Sequence, residues 1–159
     1  MEGKIHQLNC SQGGVPKTPV PDAVLTETGL TGDKVAYPKI HGGPERALCL
    51  FPLELIQRLQ SEGHPIFPGS VGENVTVEGL DWPSLAPGSR LALGDEVVIE
   101  ISSYTTPCGT IKKSFAGGDF ARISQKTHPG ESRLYARVIR TGRLAVGQSV
   151  RLLNGGSAE

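Results

Sequence analysis

Twenty-one glycines and twelve prolines are spread through a chain of 159 residues. Neither residue suits a helix interior, where glycine costs about 1 kcal/mol and proline about 3 kcal/mol relative to alanine. A chain punctuated this often must turn often, which favours a fold of short strands over a helical bundle. The length fits one domain with one core. With 37% hydrophobic and 20% charged residues, the composition is that of an ordered globular protein.

Between the turn formers, the pattern of apolar residues marks the elements. Residues 96–104 are the clearest strand, with Val97, Ile99 and Ile101 on one face and Glu100 and Ser102 on the other. Leu91 and Leu93 alternate just before it, and Gly94-Asp95 predicts a hairpin turn between the two. Residues 47–51, 74–78, 135–141 and 149–153 give four more candidate strands. One helix is well marked. Pro52 is placed at its first position, Leu53, Ile56 and Leu59 share a face, and Gly63 followed by Pro65 stops it. Shorter helices are expected over 111–115 and 120–126. The segments 85–88 and 144–147 read as two similar turns leading into strands. A closed or nearly closed barrel with helices packed on it accommodates this element list, because closure removes exposed sheet edges. The expected domain covers residues 1–153, with 154–159 as a flexible tail.

Net charge is zero, yet its distribution is uneven. Seven basic and thirteen acidic residues lie in the first 111 positions, and nine basic against three acidic residues follow. The basic C-terminal third suits an anionic ligand or an acidic partner protein, unless it is simply a solvated surface. Few aromatic residues interleave with these charges, so nucleic acid is not expected as a partner. No apolar run approaches a membrane span, and the N-terminus lacks a basic opening followed by an apolar stretch; the expected location is the cytoplasm. Three widely separated cysteines, Cys10, Cys49 and Cys108, suit a reduced compartment better than a disulfide framework, and no pairing typical of zinc occurs. There is also no P-loop, dinucleotide fingerprint, nucleophile elbow or His-Glu-x-x-His segment.

Cys108 is the residue with the most chemistry in prospect. It lies just past the strongest strand and before the short helix that carries Lys112 and Lys113, a setting that favours thiolate. Thiolate is both a nucleophile and a soft metal ligand. The alternative is the commoner fate of a free cysteine, burial without reaction, which is the reading preferred for Cys10 and Cys49. In His41-Gly42-Gly43-Pro44-Glu45-Arg46 the glycines let amides approach a phosphate and Arg46 clamps its oxygens; otherwise the segment is a solvated turn. Gly13 to Lys17 has the same logic with Lys17 as a point charge, against an ordinary surface loop. Asn74, at a strand entrance, either pairs with an amide-like ligand edge or completes a turn. His6, His64 and His128 have no neighbouring nucleophile and read as structural or surface residues.

Taken in order, the segments 13–17, 29–33, 41–43, 69–74, 106–108 and 132–138 resemble the MOSC family, the domain shared with the C-terminal part of molybdenum cofactor sulfurase. They look closest to its small stand-alone bacterial members. The resemblance runs from about residue 8 to 153. It implies a mainly β, MOSC-type barrel with a few helices. It also implies a cysteine that ligates molybdenum or carries sulfur. On that basis Cys108 is the metal ligand and Asn74 a pterin contact. Lys17, His41, Arg46 and Arg137 become candidates for the phosphate and pterin surroundings. Two functions follow from the resemblance. In one, the bound molybdenum cofactor reduces N-hydroxylated compounds or N-oxides, with electrons from a separate flavin or iron–sulfur protein. In the other, Cys108 carries a persulfide received from a pyridoxal-phosphate-dependent desulfurase. Some descriptions of the family extend to pyridoxal phosphate binding, and cofactor binding without turnover is a third option.

Overall fold

The structure, a computed structural model, describes residues 1–34 and 42–153. Eleven strands form among them: β1 (Glu2–Cys10), β2 (Thr18–Val20), β3 (Asp22–Thr26), β4 (Gly29–Leu30), β5 (Leu48–Pro52), β6 (Val75–Glu78), β7 (Arg90–Leu93), β8 (Val97–Tyr104), β9 (Leu134–Arg140), β10 (Gly142–Ala145) and β11 (Ser149–Leu152). Seven of them close a barrel in the order β1, β11, β7, β8, β9, β5, β6, with β6 pairing back to β1. β2 adds to the outside of β1, while β10, β3 and β4 form a separate small antiparallel sheet. The expected mainly β barrel is therefore what forms. Its neighbours are antiparallel except β5 and β6, which run parallel and are linked through helix α1 (Leu53–Ser61).

Alternation places the core. Leu48 and Leu50 of β5 and Leu134 and Ala136 of β9 belong to the apolar cluster inside the barrel. Each buried side chain of leucine size contributes about 1.5–3 kcal/mol. Every residue of β5 is buried nonetheless, because its outer face is covered too. There Phe51 packs in a second cluster with Leu55, Ile56 and Leu59 of α1 and with Ile111 and Phe115. α1 ends on Gly63 at φ 98°, with Gly63 N–H donating to the Gln60 carbonyl and His64 N–H to that of Leu59, a Schellman stop. The hairpin at Gly94 and the turn at Gly88 fall where the sequence places them, whereas the turn expected over 144–147 is confined to Val146 and Gly147, because Leu144 and Ala145 belong to β10.

Three expectations need correction. Pro52 is the last residue of β5 and the N-cap of α1, not its first helical residue. The two short helices are 3₁₀ turns, Gly109–Ser114 and Phe120–Ile123. So few residues, interrupted by Gly117 and Gly118, cannot sustain an α-helical nucleus. Finally, β1 is the longest strand and the sequence pattern does not mark it. Its register shifts between Ile5 and Gln7, so Ile5, Leu8 and Cys10 are buried without a period of two.

Candidate functional site

On the outer face of β5 and β9 lies a cavity of about 360 Å³, within the range of roughly 300–1,000 Å³ usual for small-molecule sites. Cys49 and Tyr135 pair directly across these strands and face it, since their neighbours Leu48, Leu50, Leu134 and Ala136 point into the barrel. The loop after β1, the β3–β4 hairpin, the segments 42–47 and 71–74, and residues 108–111 complete its wall.

Cys108 reaches this wall because β8 ends beside the start of β9. Thr105 is buried, and its N–H donates to the Arg133 carbonyl at 2.9 Å, pinning the strand end. The register between β8 and β9 shifts between Ile101 and Ser103, a bulge that redirects the chain just before the site. Cys108 follows in extended conformation as the N-cap of the first 3₁₀ turn. It is partly exposed, whereas Cys10 and Cys49 are buried. Its Sγ lies 2.9 Å from Thr110 Oγ1. The Cys49 thiol, also in the cavity wall, is pushed up by burial, and so is the Cys10 thiol; neither supplies thiolate readily. Lys112 and Lys113 are exposed and do not line the cavity.

Lys17 and Asn74 both line the cavity, yet their polar atoms are spent within the protein. Lys17 is 6% exposed and its Nζ is 2.7 Å from Asp33 Oδ1, which also accepts the Ser11 N–H at 2.9 Å. Asp33 Oδ2 accepts from Asn74 Nδ2 at 2.9 Å, while Asn74 Oδ1 accepts the Cys49 N–H at 3.0 Å. Lys17 is thus buried and paired, not a free point charge on a surface loop. Gly69 makes this approach feasible. It sits at φ 90°, and a Cβ there would meet the Lys17 carbonyl oxygen at 2.3 Å.

Arg46 is exposed at the cavity mouth on a 3₁₀ turn, Pro44–Arg46, with its guanidinium 5.8 Å from the Tyr135 ring centroid. Burial first of all pushes the Tyr135 hydroxyl up to about 12, so it stays protonated near neutrality. Arg137 is not brought to the cavity. It lies on the barrel exterior, paired with Glu100 and with Glu45 at 3.5 Å. Arg90 pairs with Glu100 as well, at 3.3 Å, which makes a cross-strand ladder over β7, β8 and β9. His41 lies outside the described residues.

Three cavity residues, Asp33, Arg133 and Tyr135, were not singled out from the sequence. Arg133 and Tyr135 stand at the start of a strand antiparallel to β8, so they share a sheet end with Cys108. That adjacency was the signal available. Among the described residues, no group of three His, Cys, Asp or Glu side chains is placed to hold a metal ion.

The MOSC domain profile matches residues 37–151. This chain belongs to the MOSC domain family. That family is associated with the molybdenum cofactor. YflK of Bacillus subtilis strain 168 is 32% identical over 145 residues, covering 90% of this chain and 64% of that one. YiiM of Escherichia coli K12 is 30% identical over 137 residues, with 84% of this chain and 60% of that one covered. The crystal structure of Escherichia coli YiiM superposes with a TM-score of 0.72 at 25% identity, covering 97% of this MOSC chain and 70% of that chain. A protein of Gibberella moniliformis called "Reductase" is 28% identical over 131 residues, 79% of this chain but 23% of its own length. The chain thus spans less than two thirds of the length of YflK and YiiM. No helix among the described residues is long and apolar enough to cross a membrane.

Proposed function

We propose that this MOSC domain holds a molybdenum cofactor in the cavity beside Cys108 and supports two-electron reduction of N-hydroxylated or N-oxide compounds. The observation that carries the reading is the Cys108 sulfur, partly exposed on the wall of a ligand-sized cavity. The donor set fits such a group. The wall offers one accessible thiol and no cluster of further ligands among the described residues, so the metal must bring its other donors with it. A pterin dithiolene does this. Lys34 and Arg46, exposed at the mouth, suit its phosphate. When bound, the group supplies the two-electron redox chemistry.

The protein's own part is ligation, placement and polarity. Cys108 presents the sulfur and Thr110 places a hydroxyl beside it. The Lys17–Asp33–Asn74 network fixes another part of the wall, and Tyr135 keeps a protonated hydroxyl in the site. Asn74 acts here as a support for Asp33 and for the Cys49 backbone rather than as a pterin contact. Electrons would come from a separate flavin or iron–sulfur protein. The exposed pair Lys112 and Lys113, on the same 3₁₀ turn as Thr110, offers an acidic donor a place to dock.

A second reading uses the same exposed sulfur as a persulfide carrier fed by a pyridoxal-phosphate-dependent desulfurase. Two measurements on protein from a cofactor-producing host separate them. Cofactor binding predicts an oxidised-pterin fluorescence signal and reduction of an N-hydroxylated base by a chemical electron donor. The carrier predicts neither, and instead one added sulfur on Cys108 after incubation with desulfurase and cysteine.

A further inference from the structure

Among the described residues, four basic side chains line the cavity, and burial divides them. Lys34 and Arg46 are exposed at its mouth, while Lys17 and Arg133 are 6% and 7% exposed. Of the buried two, Lys17 is ion-paired with Asp33. Arg133 is not matched in this way. Its Nη1 donates to the Val71 carbonyl at 2.7 Å, its buried Nε has no hydrogen-bond partner, and no carboxylate comes within ion-pair distance among the described residues. A guanidinium cannot escape the cost of burial by losing its proton. The buried acid that acts on it, Glu73, is itself pushed towards its neutral form by burial, and its Oε1 is also without a partner. Arg133 is therefore a permanent charge in a cavity wall with donor capacity left over.

We propose that Arg133 anchors a buried oxyanion subsite in this cavity, which takes a phosphate-type group. The planar fork of a guanidinium matches two oxygens of such a group. The group comes either from the cofactor's own phosphate or from an anionic second ligand. The subsite does not need the metal, and it is tested on cofactor-free protein, so it stands or falls separately from the molybdenum reading.

The chain's single tryptophan, Trp82, donates its indole N–H to the Ser132 carbonyl at 2.9 Å, one residue from Arg133. Its fluorescence reports both unfolding and events at this position. Thermal unfolding of cofactor-free protein is followed over a titration with inorganic phosphate, with ionic strength held constant by chloride. A saturable rise in Tm is expected for the wild type. It should vanish in Arg133→Met, fall by about tenfold in affinity in Arg133→Lys, which keeps the charge but loses the fork, and persist in the surface control Arg151→Met. Acetate should bind about tenfold more weakly than phosphate. If Glu73 were the true counter-ion, phosphate would bind only after Glu73→Gln; the proposal expects Glu73→Gln to bind at least as tightly as the wild type. No saturable rise in the wild type, wild-type affinity in both Arg133 variants, equal binding of acetate, or binding only in Glu73→Gln would each overturn it. Repeating the titration on cofactor-loaded protein assigns the source. Loss of phosphate binding places the cofactor's phosphate at Arg133, and retained binding leaves the subsite to a second ligand.

Discussion

The two sides of the cavity are built on opposite rules. On one side, Lys17, Asp33 and Asn74 form a closed polar network that leaves Asp33 with a donor on each oxygen. On the other, Cys108, Arg133 and Tyr135 meet at the junction of β8 and β9, and Arg133 retains an unpartnered buried Nε. Buried polar groups are ordinarily satisfied, so a satisfied network reads as scaffold and an unsatisfied one as a place where a ligand completes the structure. Residue type alone does not separate them: Lys17 and Arg133 are both buried cations lining the same cavity.

The comparison breaks most readily at Asp33. Asp33→Ala strands Lys17 as an uncompensated buried charge and should cost about 3–5 kcal/mol in denaturant unfolding. A loss within that of a surface substitution would show the network is not scaffold. Asn74→Ala orphans the Cys49 N–H and one Asp33 oxygen, and should cost about 1–3 kcal/mol. Glu73, the buried acid that acts on Arg133, gives a pH signature. Burial raises its folded-state pKa above the unfolded value, so its contribution is fully present below the ordinary carboxylate range and is lost as pH rises through the folded pKa. Glu73→Gln removes that loss. Its stability relative to the wild type should improve as pH rises from the acid range towards neutrality, and a flat difference would contradict the assignment. The smallest effect belongs to Arg137→Ala, an exterior ion-pair change of about 0.2–1 kcal/mol. Pterin content should be unaffected, which sharpens the distinction from Arg133.

Much of the barrel was legible, because β6, β7, β8 and β9 keep apolar faces in step with the strand period and β5 stands out as a short, wholly apolar run. β1 was not, since its bulge breaks that period and Asn9, fully buried, reads as a polar break. Asn9 is accommodated there by bonds to the Glu73 carbonyl and Thr76. In the site, Cys108 was legible from its strand-end position. Lys17 and Asn74 were legible as neighbours of the cavity but not as groups already spent, because their partner Asp33 lies 16 and 41 residues away in the chain. The uneven charge also reads differently in three dimensions. Arg122 is held by Glu62 as well as by its near neighbour Glu131, and Arg137 by Glu45 and Glu100, so carboxylates from the acidic part reach two members of the basic third. Sequence separation hides such pairings.

The account rests on the Cys108 sulfur as the protein's bond to the metal. Its most direct test is the molybdenum content of protein purified from a cofactor-producing host, wild type beside Cys108→Ala, with Trp82 fluorescence confirming that both are folded. The account predicts near-stoichiometric molybdenum in the wild type and its loss in the variant. Equal molybdenum in both, or none in a wild type that instead carries a persulfide, would contradict it.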